Sequence, residues 1–365
     1  MSGRGKVQMK PIGILADSGQ PTADVSRILR SVLIDARLIT ADDGSEVLQG
    51  TWPDVGPVEV RKGTVPMSPD GDVQLNDHAG ELLDAYGWER LIYVTDLPLS
   101  AWEKPVVTQR AAGQKAVLIS LPALGAFGVR RRLRREITGL VERDEQVSGV
   151  LRSGPDPAEG EDSADAPDVE THVLEHPGLT LRMVLGMVRS NEPGRLLPVL
   201  SSSLAAMTAT GGFGIFYGSI WKLAEELTFW RLLLISVFAT VAFTAWLIVH
   251  NRLWQRKNTQ ESRWRENVDN LATIGTIGMT AVILHTTVWL VMVLSSVVVI
   301  PRAYLEGELE RDVGIITYLS IAWLSASLGA MAGALGSNFD RDVEIRSATY
   351  NLREHERRAQ SWAGD

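Results

Sequence analysis

Apolar residues along the chain fall into two regimes. Up to about residue 142 they come in short runs or at helical spacing, broken by charged and turn-forming residues. From residue 196 onward they fuse into four stretches free of Asp, Glu, Lys and Arg: 196–221, 232–250, 271–301 and 313–339. A helix rises 1.5 Å per residue, so about 20 residues cross a hydrocarbon core of about 30 Å. Each stretch is long enough, and the sequence predicts four crossings at about 196–221, 232–250, 275–300 and 313–337. The third stretch exceeds one perpendicular crossing; either it tilts, or its first turns at 271–278 lie along the membrane surface. Trp221, Lys222, Trp230, Arg231, Trp254, Arg256, Lys257, Arg302 and Tyr304 stand at the ends of these stretches, where aromatic and basic side chains anchor at headgroup level.

The first 142 residues read as an α/β domain. Residues 11–16 (PIGILA) form a short apolar strand ended by Asp17-Ser18-Gly19, and Thr22 caps a helix whose apolar positions are Val25, Ile28, Leu29, Val32 and Leu33. A strand follows at 58–61, and a helix at 73–86 places Ala79, Leu82, Leu83 and Tyr86 on one face. Strands are predicted at 91–95, 106–109 and 116–121, then a helix at 129–141 with Val129, Leu133, Ile137 and Val141 inward. Strands alternating with helices imply a mostly parallel sheet covered on both faces, and the close spacing of 106–109 and 116–121 suggests one antiparallel edge strand. Residues 143–180 read as a linker: its stretch 143–170 carries nine acids and three prolines with few large apolar groups, the composition of a disordered tether. The remainder divides into a four-helix transmembrane domain, 181–339, and a basic tail, 340–365.

Charge adds an orientation. Arg182, Arg189 and Arg195 precede the first stretch; Arg252, Arg256, Lys257, Arg263 and Arg265 fill the loop after the second; five arginines follow residue 339. The loop 302–312 instead sets two arginines beside Glu306, Glu308, Glu310 and Asp312. The positive-inside rule then places both termini and the central loop in the cytoplasm of a plasma-membrane protein. The apolar run at 12–16 is too short for a secretory signal, which fits a cytoplasmic α/β domain. The net charge of −8 argues against nucleic acid as a partner. Cysteine is absent, which excludes disulfides, thiolate metal sites and cysteine nucleophiles.

Five features invite chemistry. His285 is the one ionisable group inside the predicted spans; it reads as a proton or ion site, or as a polar contact to a neighbouring helix. Ser325, Gly329 and Gly333 align small side chains on one helical face, a surface for close helix packing within the chain or between copies, and Gly211, Gly212 and Gly214 resemble it. His172-Val173-Leu174-Glu175-His176 fits the spacing of inverted zinc peptidases if it is helical, with His172 and His176 as ligands and Glu175 as base, although its place beside the linker makes coincidence the plainer reading. Arg130, Arg131, Arg132, Arg134 and Arg135 form a basic helix face suited to anionic lipid or to solvent. The loop from Asp17 to Thr22 could receive an anion at a helix start, but it lacks the glycine spacing of a nucleotide loop.

Residues 91–99 (LIYVTDLPL), 116–125 (AVLISLPALG) and 187–197 (MVRSNEPGRLL) make the chain resemble a family of uncharacterised actinobacterial multi-pass membrane proteins, a resemblance that implies no activity. The element order from 91 to 141 is similar to archaemetzincin-type zinc proteases, whose helix bears H-E-x-x-H. Here that helix reads Arg134-Arg135-Glu136-Ile137-Thr138, without histidine, so the resemblance implies a site unable to hold zinc. The sequence thus predicts a non-enzymatic bilayer protein, without a cofactor, acting in sensing, scaffolding or regulation. Its expected partners are lipid and a second copy or another membrane protein. The competing expectations are an enzyme using the α/β domain on a nucleotide or peptide, and a small transporter.

Overall fold

In the computed structural model, residues 9–41, 44–67, 73–101, 104–111, 115–142, 171–173, 178–254 and 263–337 are described. Strand β1 (Ile12–Ala16) is buried at every position, which requires a sheet covered on both faces. Gly13 makes this possible: a Cβ there would lie 2.0 Å from the Trp88 ring, so only a bare backbone lets the indole close over the strand. After helix α1 (Gln20–Arg30) come β2 (Ile34–Thr40), β3 (Glu46–Trp52), β4 (Gly56–Lys62), α2 (Leu75–Tyr86), β5 (Arg90–Thr95), β6 (Leu99–Ala101), β7 (Lys104–Arg110), β8 (Ala116–Ser120), α3 (Val129–Glu142), β9 (Thr171–Val173) and α4 (Leu179–Ser190). The sheet order is β2-β3-β4-β1-β5-β8-β7-β6, with β9 on β7. One face packs under α1 and α3 through Ile14, Val60, Ile92 and Val94; the other packs under α2 and Trp88 through Leu15, Leu91, Tyr93 and Leu118.

The sheet is mixed, which corrects the mostly parallel expectation. Among the described residues β4, β1, β5 and β8 are joined in parallel, and the five other pairs are antiparallel. Short connections between β2, β3 and β4, and between β6, β7 and β8, permit only antiparallel return. The antiparallel pairing of β7 with β8 was expected, but β7 is not the edge, because β6 and β9 also pair with it.

Helix α4 covers residues that the sequence reading divides between the linker and the membrane domain. It belongs to the compact unit of the α/β domain, which takes in Met1–Ser190. Met183, Val184, Met187 and Val188 are buried, and Gly186 lies so close to the 3-10 turn Pro122–Leu124 that a Cβ would meet the Pro122 carbonyl oxygen at 2.2 Å. The linker stretch 143–170 and the tail from 340 lie outside the described residues.

The second unit, built from Asn191–Asn258 and Asp269–Arg353, is helical: α5 (Leu196–Val199), α6 (Ser201–Phe216), α7 (Gly218–Glu226), α8 (Phe229–His250), α9 (Arg263–Val299), α10 (Arg302–Leu309) and α11 (Ile315–Gly336). Three of these, α8, α9 and α11, are long and apolar enough to cross a membrane. The expected first span is not one helix. It breaks at Leu200 and again at Tyr217, whose extended backbone (φ −105°, ψ 112°) ends α6. Trp221, expected as a headgroup anchor, is buried and donates its indole N–H to the Gly214 carbonyl at 3.2 Å. The third stretch runs as one helix with no break at Gly278.

Residue pairing fixes the helix directions. Against α11, α6 runs antiparallel: Ser202 and Ala206 meet Gly336, Met207 meets Gly333 and Gly329, and Gly211 and Gly214 meet Ser325. The following α7 continues toward the start of α11, where Glu225 pairs with Arg311. Helix α8 runs parallel to α11 (Phe229 on Trp323, Ser236 on Ser327, Trp246 on Ser337). Helix α9 runs antiparallel to it (His285 on Ser327, Trp289 on Leu319). The small face of Ser325, Gly329 and Gly333 therefore packs within the chain, against α6.

Candidate functional site

Helices α8 and α9 line opposite walls of a cleft of about 930 Å³. From α8 come Leu233, Val237, Val241 and Val249 with Ser236, Thr240 and Thr244; from α9 come Ile274, Gly278, Val282, His285, Thr286 and Trp289. Trp323 of α11 and Trp254 complete it. The threonines add little polarity, because the hydroxyls of Thr244 and Thr286 donate to carbonyls one turn earlier, Thr240 and Val282, at 2.8 Å. Gly278 keeps the wall low: a Cβ there would touch only Thr244, at 4.0 Å.

At one point the wall is polar. Trp323 donates its indole N–H to Ser236 Oγ at 2.5 Å, Ser236 Oγ lies 2.8 Å from Ser327 Oγ, and Ser327 Oγ lies 3.2 Å from His285 Nε2. The serines also reach the carbonyls of Leu232 and Trp323, both at 3.0 Å. Two hydroxyl protons thus serve several acceptors, and the network has two arrangements. If Ser327 donates to Nε2, the imidazole proton is on Nδ1. If Ser327 donates to the Trp323 carbonyl, Nε2 carries the proton and Nδ1 is an acceptor. In either case Nδ1 has no hydrogen-bond partner among the described residues, although the ring lines the cleft. An apolar cleft with few polar side chains in its wall suits an apolar molecule that carries a hydrogen-bonding group.

The α/β unit presents a different picture. Parallel sheets bind ligands beyond the carboxyl ends of their strands. Here Asp17, fully buried after β1, accepts from Tyr93 Oη and Thr95 Oγ1, both at 2.6 Å. Tyr93 Oη also accepts from the Val65 N–H, Thr95 Oγ1 from the Leu97 N–H, and Ser120 donates to the Leu97 carbonyl at 2.7 Å. This end is tied together by its own side chains. Sequence patterning missed Asp17, which reads as an ordinary turn residue until the tyrosine and threonine of β5 are placed beside it.

The other expected sites separate. Thr22 is not a cap: α1 begins at Gln20, and the Thr22 hydroxyl donates to the Asp17 carbonyl at 2.6 Å, so it does not face an incoming anion. His172 sits on strand β9, paired with Thr108 of β7, while Glu175 and His176 lie outside the described residues. Among the described residues no three His, Asp or Glu side chains converge as metal ligands. Of the α3 arginines, Arg131, Arg134 and Arg135 are exposed, Arg130 pairs with Asp24 at 2.8 Å, and Arg132 donates to the Leu124 carbonyl at 2.6 Å.

Fold and site together define a mixed α/β unit joined in one chain to a helical unit with three membrane-length apolar helices and a cleft between two of them. No protein-family profile, curated protein or solved structure matches the chain.

Proposed function

We propose that the protein is an integral plasma-membrane sensor or regulator: its helical unit takes a lipophilic molecule bearing one hydroxyl or carbonyl group into the α8–α9 cleft. The α/β unit and both termini face the cytoplasm. The observation that carries this reading is the cleft itself, about 930 Å³ and almost wholly apolar, with His285 among the few polar side chains in its wall. In hydrocarbon no water is at hand to satisfy such a side chain, so a ligand group that bonds to it gains selectively over plain acyl chains.

Four crossings are supported by the antiparallel course of α6 and α7 along α11. The 16 residues of α6 cover only about 24 Å, and α7 supplies the rest. An even number of crossings returns the tail to the side of the α/β unit, in keeping with the arginines on both flanks.

A photoactivatable long-chain alcohol tests the reading on the full chain in vesicles. Crosslinks should concentrate on α8 and α9 residues of the cleft. Gly278→Leu, which places a bulky side chain in the cleft from a position where a Cβ meets only Thr244 at 4.0 Å, should abolish them, and His285→Phe should weaken capture about tenfold through the lost hydrogen bond. Even labelling of all outward helix faces, unchanged in both variants, would refute it.

A further inference from the structure

We propose that Arg132 and Arg182 form a binding site for a phosphate group on the α/β unit. The two guanidiniums, one from α3 and one from α4, converge on a single acceptor: Arg132 Nη1 lies 2.6 Å and Arg182 Nη2 3.2 Å from the Leu124 carbonyl oxygen. Each guanidinium offers five N–H donors, and one carbonyl oxygen cannot satisfy two of them. Neither has a carboxylate partner among the described residues, in contrast to their neighbours Arg130 and Arg189, which share Asp24 at 2.8 and 3.0 Å. Arg182 Nε is buried with no acceptor among the described residues.

The backbone beside the pair is bare. Gly125 has φ +85°, and a Cβ there would lie 2.7 Å from Arg182 Cγ and 3.4 Å from Arg132 Nη1. Desolvation first, and the Arg132 charge second, lower the affinity of Arg182 for its proton. A phosphate group supplies what is missing: several charged oxygens in the geometry that guanidinium forks bind bidentately. The phosphate could be free in the cytoplasm or belong to a lipid headgroup, and α4 leads by chain directly into the helical unit.

The site is independent of the cleft, and its test leaves the cleft untouched. The full chain in dodecyl maltoside is titrated with inorganic phosphate against chloride at matched ionic strength, with the unfolding temperature as readout. A second arm compares nanodiscs of phosphatidylcholine with and without phosphatidylglycerol. A rise with inorganic phosphate assigns a free anion; a rise only with phosphatidylglycerol assigns a headgroup. In either arm Arg132→Gln and Arg182→Gln should weaken the response at least about tenfold, and exposed Arg131→Gln should leave it unchanged. Arg182→Gln should not lower the unfolding temperature in chloride, since it removes a charge next to Arg132 that has no carboxylate partner among the described residues. No rise in either arm, or equal responses from all three variants, would overturn the proposal.

Discussion

Replacing Gly329 by alanine adds one methyl group at the point where α11 lies closest to α6. The new Cβ would sit 2.3 Å from the Met207 carbonyl oxygen and 3.2 Å from the Gly211 nitrogen. Both are backbone atoms, so no rotamer change relieves the contact and the helices must part. A parting of about 1 Å forfeits between a quarter and a half of each contact well along the seam. That seam includes Gly214 on Ser325, Gly333 on Met207 and Gly336 on Ala206. Overpacking of this kind costs about 1–3 kcal/mol, which at about 2–4 °C per kcal/mol for a unit of this size lowers the unfolding temperature by roughly 2–12 °C. Gly212 provides the control, because it lies on the same pair of helices with nothing within 4 Å of its Cβ position. Gly212→Ala should stay within about 0.5 kcal/mol of the parent. The assay is thermal unfolding of the full chain in one detergent at one scan rate, followed by far-ultraviolet circular dichroism. A neutral Gly329→Ala, or equal losses in both variants, would refute the inference that α6 and α11 meet through their glycines.

Two further outcomes follow from polar contacts. Tyr93→Phe removes one donor from the buried Asp17 carboxylate and the acceptor of the Val65 N–H, and should destabilise the α/β unit by about 2–4 kcal/mol in urea unfolding; a change below about 0.5 kcal/mol would contradict the account. Outside the spans, the hydrogen bond from Arg302 holds the Glu306 carboxyl below its ordinary range. A group depressed in the folded state contributes above its unfolded pKa and loses that contribution as pH falls through the folded value, so the pair acts at neutral pH and weakens in acid. Arg302→Gln should raise the Glu306 protonation midpoint in carboxyl-selective NMR, and an unchanged midpoint would show that the pair does not form.

Some of this architecture is legible in the sequence because burial writes a period into it. Val25, Ile28 and Leu29 on α1, and Val129, Leu133, Ile137 and Val141 on α3, repeat at helical spacing and are buried as expected. Strand β2 was invisible because it is an exposed edge, with Ile34 and Leu38 both more than half exposed, so no alternation marks it. The break at Tyr217 carries neither proline nor charge. Arginines on α4 read as a membrane flank, whereas Arg189 pairs with Asp24 and Arg182 reaches Leu124, partners 165 and 58 residues away. The cleft was half legible: His285 stood out as a lone ionisable group, but Ser236, Ser327 and Trp323 gain meaning only when α8, α9 and α11 are brought together.

The central claim, a chain that crosses a membrane four times and returns to the side from which it started, is tested most directly by cysteine accessibility, since the native chain has no cysteine. Single substitutions Glu81→Cys, Asn258→Cys, Gly307→Cys and Ser361→Cys would be treated in intact cells with a thiol reagent that cannot cross membranes. The account predicts that Gly307→Cys is labelled directly and the other three only after permeabilisation. Labelling of Ser361→Cys but not Glu81→Cys in intact cells would mean an odd number of crossings, and labelling of Asn258→Cys from outside would reverse the orientation; either result would contradict it.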